Sequence, residues 1–300
     1  MTNTSKTIIF FGNERLVSGL DHTDAPILNG LIEHGYTVAA VVSNHTEATS
    51  RKSRPLEVAA VAEAHGIPVL LPKRPMDIYE ELKAIGAEAA VLSAYGRIIP
   101  QEIIDLFPKG IINIHPSLLP RYRGSTPIES AIMNGDTETG VSIMQLAAAM
   151  DAGPVFTQEK IALNGNEDKF DLYRKLSAIG ADLLFSVLPS ILSGELLPKP
   201  QAGTPTYCAL LKKENGLINP LVLTASEIER KVRAYLNFPK TKLTLLGQLV
   251  TITSVHVSNE QTSPLDVACK DGRFLVIDEL VGPSGRRMSG QAFLNGYRIA

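Results

Sequence analysis

Apolar positions in the first two-thirds of the chain follow two alternating rhythms. Short continuous apolar runs at Thr7–Phe11, Tyr36–Val42, Val69–Leu71, Ala89–Ala94 and Gly110–Ile114 read as buried strands. Between them, Pro26–Glu33, Leu56–His65 and Met76–Ile85 carry apolar residues at helical spacing. A helix follows Pro127 to about Asn134; strand-like runs at Gly140–Leu146 and Val155–Ile161 come next, then a long helix over Lys169–Leu192. This alternation predicts an α/β domain on a doubly wound, mostly parallel sheet. Such sheets hold ligands beyond the carboxyl ends of their strands, so the residues just after each strand matter most.

The texture then changes. Ser193–Tyr207 gathers Gly194, Pro198, Pro200, Gly203 and Pro205, the composition of a linker. Beyond it, Ser226–Leu236 reads as a helix capped by Thr224 or Ser226. Short β-rich runs follow at Lys242–Leu246, Leu249–Val257, Pro264–Ala268 and Phe274–Leu280. Strands this short, separated by turn signals, suggest a small β-barrel or sandwich. The expected division is a domain over 1–193, a linker over 194–206 and a second domain over 207–300.

Composition narrows the class. The chain is 44% apolar over 300 residues, enough to bury a substantial core. No stretch approaches the roughly 20 uninterrupted apolar residues of a membrane helix, and Thr7–Phe11 is too short for a signal-peptide core. Cys208 and Cys269 stand far apart, with no Cys or His at metal-ligand spacing. Neither a disulfide framework nor a zinc site is expected, which fits a reducing cytoplasm. The net charge of −2 divides into −6 over residues 1–200 and +4 over residues 201–300. A basic final third can meet a polyanion, or it can be ordinary surface charge.

Candidate chemistry sits at strand ends. Asn113 and His115 lie two residues apart in an extended segment, so both side chains aim at one face. An amide and an imidazole placed together can donate to a developing oxyanion, although the same pair can simply cap the strand. Asp151, in Met150-Asp151-Ala152-Gly153, suits a tight loop. Beside the other two it would complete a base, a polariser and an oxyanion donor for acyl transfer. Tyr95-Gly96-Arg97-Ile98-Ile99 follows a strand and offers a close backbone approach and an apolar wall, or a plain strand-to-helix turn. There is no Gly-x-Gly-x-x-Gly fingerprint, no phosphate loop, no Ser on a nucleophile elbow and no Cys with a His partner.

The string Asn113-Ile114-His115-Pro116-Ser117-Leu118-Leu119-Pro120-Arg121-Tyr122-Arg123-Gly124 resembles the folate-dependent formyltransferases. Pro127-Ile128 and the run from Gly135 through Gln145 to Asp151-Ala152-Gly153 extend the likeness. The resemblance implies a Rossmann-like catalytic domain, with the family's catalytic Asn, His and Asp on Asn113, His115 and Asp151. It implies a pocket for 10-formyltetrahydrofolate from Tyr95, Gly96, Arg97, Ile98, Ile99, Ser117, Leu118, Leu119, Pro120, Gln145 and Asp151, and no metal. Lys212–Asn219, Glu229–Ala234 and Gly285–Tyr297 resemble the C-terminal, OB-like barrel of the branch that formylates charged initiator tRNA. The acceptor implied is therefore the α-amino group of methionyl initiator tRNA, reached by direct amine attack without a covalent enzyme intermediate. Arg51, Lys52, Arg54, Arg121, Arg123, Arg286 and Arg287 are the implied tRNA contacts. An amino-sugar N-formyltransferase using the same donor is the alternative. A cytoplasmic monomer with no membrane partner is expected.

Two segments depart from the family pattern. Gly12-Asn13-Glu14-Arg15 stands where a Gly-Thr-Pro is usual, followed by extra residues at about Gly19–Ala25. The tRNA-contacting loop is matched by a shorter Ser43–Pro55.

Overall fold

The structure is a computed structural model that describes residues 7–44 and 56–297. The first elements are β1 (Thr7–Gly12), α1 (Pro26–Glu33), β2 (Thr37–Val42), α2 (Glu57–Ala64), β3 (Val69–Leu70), α3 (Tyr79–Ile85), β4 (Ala89–Ser93) and α4 (Gln101–Ile104). They continue as β5 (Ile111–His115), β6 (Arg123–Gly124), α5 (Pro127–Asn134), β7 (Glu138–Gln145), β8 (Val155–Ala162) and α6 (Lys169–Ser193). After β9 (Tyr207–Cys208) come α7 (Ala225–Ala234), β10 (Thr241–Leu245), β11 (Gln248–Ser258), β12 (Val267–Ala268), β13 (Phe274–Val281), β14 (Arg287–Ser289) and α8 (Gly290–Gly296).

Seven strands form one sheet in the order β3-β2-β1-β4-β5-β7-β8. The first five are parallel, and β7 and β8 add antiparallel strands at one edge. Strand alternation explains the two cores. Ile8 and Phe10 face one layer with α1 and α6, whereas Ile9 and Phe11 face the other with Leu82 of α3 and Ile103 of α4. Each fully buried Phe contributes roughly 1.5–3 kcal/mol from burial. The chain winds outward from β1 to β3 and then returns to β4 and β5 on the opposite side. That reversal opens a crevice beyond the carboxyl ends of β1 and β4.

The long helix α6 is apolar and long enough to cross a membrane by length and composition. Here its stripe Leu172, Leu176, Gly180, Leu184, Leu188 and Ile191 is buried, and the helix packs on β7, β8, β5 and α1. Gly180 permits the approach, since a Cβ there would stand 2.9 Å from the Ile114 side chain. Asp168 begins the helix by accepting from the Phe170 and Asp171 amides.

The C-terminal strands form a separate antiparallel sheet in the order β10-β11-β13-β12, with β14 paired to β13. Register shifts at Ile252–Val255 bend β11, and the strands enclose their own core of Ile228, Val250, Leu275 and Phe293. This is the arrangement of a small barrel. Thr224, not Ser226, caps α7, with Glu227 bonding back to the Thr224 amide. The expected strand Pro264–Ala268 shrinks to Val267–Ala268, because the Asp266 carboxylate gathers the Thr262 and Ser263 amides into a turn. The expected helix Met76–Ile85 opens as a 3₁₀ turn over Pro75–Ile78.

Buried polar contacts join the two sheets. Lys169 Nζ donates to the Ser18 carbonyl at 2.5 Å and the Phe238 carbonyl at 2.8 Å, and Arg230 Nε donates to the Met133 carbonyl at 2.9 Å. Desolvation lowers the Lys169 pKa to about 8, and burial raises that of the neighbouring Glu129.

Candidate active site

The crevice at the winding reversal is a cleft of about 500 Å³. Its walls come from the segments just past β1 (Asn13, Arg15–Ser18), β4 (Ala94–Ile99) and β5 (Pro116), together with Leu146–Ala148 and Asp151 from the loop after β7. Close approach of the strand tips makes this possible. Gly12 has φ +140°, and a Cβ there would fall 1.8 Å from the Ser93 carbonyl oxygen. The chain then turns at Ala94 (φ 54°) and Gly96 (φ 71°) along the cleft wall.

Asn113, His115 and Asp151 all line this cleft. Asn113 and His115 are nearly buried at the end of β5, flanked by β4 and the antiparallel β7. Among the described residues the Asn113 side-chain amide has no hydrogen-bond partner, and it lines the cleft. His115 Nε2 lies 2.9 Å from the Tyr122 carbonyl. A carbonyl only accepts, so Nε2 carries a proton and Nδ1 is the variable site. Nδ1 faces Asp151 Oδ2 at 3.8 Å, and the same carboxylate oxygen accepts the Gly124 amide at 2.7 Å. Asp151 holds φ +46° in its loop, a region a non-glycine residue occupies only when held there. The three groups can thus present an amide donor, an imidazole that is a donor when Nδ1 is protonated, and a carboxylate, all to one reacting centre.

The remaining expected residues divide. Tyr95, Gly96, Arg97, Ile98 and Ile99 line the cleft. Tyr95 is buried against Phe11, which raises its phenol pKa, while Ile98 is 78% exposed. Ser117, Leu118, Leu119, Pro120 and Gln145 do not line it. Ser117 Oγ donates to the Arg121 carbonyl and Ser142 Oγ donates to the Ser117 carbonyl, so this segment is tied back onto β7. The Gln145 side chain is instead packed against Gly110. Arg121 pairs with Asp136 at 2.7 Å, and Arg123 binds Gln201. Arg287 on β14 pairs with Glu279, while Arg286 is exposed in the turn before it. None of these four arginines lines the cleft. Arg51, Lys52 and Arg54 lie outside the described residues. No cluster of three His, Cys, Asp or Glu side chains able to hold a metal exists among the described residues.

Several lining residues are not among the expected ones. Arg15 is held by both Glu57 carboxylate oxygens, at 2.9 and 2.7 Å. The preceding Glu14 turns inward and caps α1, accepting the Ile27 and Leu28 amides at 2.9 Å. Burial outweighs those donors and raises its pKa to about 7. The altered Gly12–Arg15 segment thus gives one acidic residue to the helix start and the following cation to the cleft wall. Its place just after β1 and its departure from the usual Gly-Thr-Pro are the signals the sequence carries for it. Leu210, 67% exposed, brings the chain beyond the Gly/Pro-rich segment to the cleft rim.

Comparison with known proteins extends the likeness to the whole chain. Residues 15–188 match the family model described as formyl transferase, and residues 210–298 match the formyl transferase C-terminal domain. A methionyl-tRNA formyltransferase of Pelobacter propionicus is 34% identical, over 99% of this chain and 95% of its own. The proteins of that name from Levilactobacillus brevis and Chloroflexus aggregans are 36% identical over 97% of this chain and 95% of theirs, and 38% identical over 90% and 92%. Among solved structures, HypX from Aquifex aeolicus in complex with tetrahydrofolic acid superposes with a TM-score of 0.67 at 17% identity, covering 97% of this chain and 47% of HypX. An N-formyltransferase from Helicobacter canadensis in complex with folinic acid and dTDP-3-aminofucose gives 0.65 at 20% identity, covering 91% and 98%. These two share the fold.

Proposed function

The chain belongs to the formyl transferase family, in its methionyl-tRNA formyltransferase branch, and from that premise we propose that it moves a formyl group from 10-formyltetrahydrofolate to the α-amino group of methionyl initiator tRNA. The observation that carries the reading is the convergence of Asn113, His115 and Asp151 on one cleft. Full-length relatives at 34–38% identity, C-terminal domain included, support the tRNA acceptor. Residues 1–193 would carry the chemistry and residues 207–300 the tRNA grip, in a cytoplasmic, monomeric protein.

The cleft suits a folate. Its volume lies within the roughly 300–1,000 Å³ typical of small-molecule sites. Ile98, Ile99, Leu146 and Met150 give it an apolar wall beside the unpartnered Asn113 amide. The folate supplies an electrophilic formyl carbon. Asn113 donates to the formyl oxygen as negative charge builds there, and loss of one such donor costs roughly 10²–10³ in rate. His115 joins it only with Nδ1 protonated, because Nε2–H is committed to Tyr122. Asp151 balances that ring and takes the proton released by the attacking amine, directly or through water; the bond from the formyl carbon to the folate nitrogen then breaks, that nitrogen takes up the proton, and tetrahydrofolate leaves. The α-amine has an ordinary pKa of about 7.7–8.0, lowered by its ester neighbour, so much of it is neutral at pH 7.

The test is incubation of purified protein with 10-formyltetrahydrofolate and charged initiator tRNA, scored for formyl-methionine. A dTDP-amino sugar and water serve as competing acceptors. Formylation of the sugar in preference to the tRNA, or tRNA-independent formate release alone, would overturn the acceptor assignment.

A further inference from the structure

Gln201 occupies the Gly/Pro-rich segment between the two sheets, away from the cleft lining. Its carboxamide is nevertheless fully engaged. Nε2 donates to the Asp151 and Gly153 carbonyls, each at 2.8 Å. Oε1 accepts from Arg123 Nε at 3.1 Å and Nη2 at 2.7 Å. Two donors and two acceptor sites are all that an amide offers, and all are used. Glutamate would face two carbonyls with no proton to give, and asparagine is one methylene too short for the same span.

The two segments so joined are the ones that orient the candidate catalytic groups. On one side is the loop that holds Asp151 at φ +46°. On the other is β6, whose Gly124 amide donates to Asp151 Oδ2 and whose neighbour Tyr122 offers its carbonyl to His115. Further bonds hold β6 in the same segment's grasp. Thr206 Oγ1 accepts the Tyr122 amide, and the Thr206 carbonyl accepts the Arg123 amide, both at 2.9 Å.

We infer that Gln201 is a positioning residue, which fixes Asp151 against His115 by clamping the Asp151–Gly153 loop to β6. The inference rests on the formyl-transfer reading and specifies how its site is held. A displacement of about 1 Å at a reacting group can cost 10²-fold in rate. The clamp comes from the segment leading into the C-terminal sheet, so the catalytic geometry depends on chain beyond α6.

The test compares wild type with Gln201→Met and Gln201→Glu. Gln201→Met removes both halves of the clamp, whereas Gln201→Glu keeps the Arg123 half and sets a carboxylate against the loop carbonyls. Three quantities are measured: kcat and KM for formyl donor and methionyl-tRNA, hydrogen exchange at the Gly124 amide, and the thermal melt. Both variants are expected to lose about 10–100-fold in kcat with donor KM changed less than about threefold. Gly124 should exchange at least about tenfold faster, because its acceptor on Asp151 is no longer held. Gln201→Glu should melt above Gln201→Met, since its Arg123 pair is retained. Unchanged Gly124 exchange in both variants would overturn the inference. So would a lowered melt with kcat per folded molecule intact, which marks a purely structural contact. If wild type itself does not formylate methionyl-tRNA, the functional reading fails, and Gly124 exchange alone decides the clamp.

Discussion

Replacing Asp151 with Asn isolates its charge from its shape. The amide oxygen of Asn can still accept the Gly124 amide, which Asp151 Oδ2 now accepts at 2.7 Å. The loop should therefore keep its place, and stability should fall by no more than about 1 kcal/mol. The substitution removes a negative charge beside the reacting groups. Asp151 Oδ2 lies 3.8 Å from His115 Nδ1, so positive charge on the ring, or on an amine attacking beside it, sits about 4 Å away. At an effective dielectric of about 20 that attraction is about 4 kcal/mol, and water in an open cleft reduces it to about 2–3 kcal/mol. At 1.36 kcal/mol per decade the expected loss in kcat is about 30–160-fold. The assay is single-turnover formylation of charged tRNA at saturating donor, with donor affinity measured separately by fluorescence or calorimetry. Donor affinity should change less than about threefold. Turnover within threefold of wild type would remove Asp151 from the mechanism, and a parallel loss of kcat and melting temperature would assign it to folding instead.

The other expectations concern grip, stability and pH. Changing Arg51, Lys52 and Arg54 together to Ala should raise KM for tRNA and flatten its salt dependence by about two to three counterions; steady-state kinetics between 50 and 200 mM salt checks this. Lys169→Met removes the bonds to the Ser18 and Phe238 carbonyls and leaves Glu129 without its cation, so denaturant unfolding should show a loss of about 3–5 kcal/mol. Adding Glu129→Gln should recover part of that loss. Glu14 carries a pKa raised by burial from 4.5 to about 7. Between those values the folded state holds a proton that the unfolded chain has released, so stability falls as pH rises through the window and is level above it. Unfolding curves of Glu14→Gln should therefore gain on wild type by up to about 3 kcal/mol between pH 4.5 and 7. A constant difference across that range would show that Glu14 does not titrate there.

Much of the first domain was legible because its signals are local. Pro26 at a helix start and an apolar face fixed α1 to its observed bounds, Pro26–Glu33, without knowledge of its neighbours. The i, i+2 relation in β5 put Asn113 and His115 on one face, and both reach the same cleft. Pairings across long separations were not legible. The two-residue strands β6 and β9 are 84 positions apart and define each other only by meeting. The short helix α4 and the pairing of β14 with β13 left too few residues for periodicity to show.

Periodicity, turn residues and strand-end polar pairs are properties of neighbouring positions, so the sequence by itself determined the doubly wound sheet, the change of texture near residue 200, and the candidate Asn, His and Asp. Only the tertiary structure decided that Glu14 would start a helix while Arg15 walls the cleft, that Ser117–Pro120 would be tied back onto β7, and that Gln201 would hold the Asp151 loop. A hydrogen bond between residues 50 or 78 positions apart leaves no periodic trace in the chain. It becomes fixed only when burial of the core closes the intervening chain, and the entropy of that closure is met by the packing of the whole fold rather than by the pair itself.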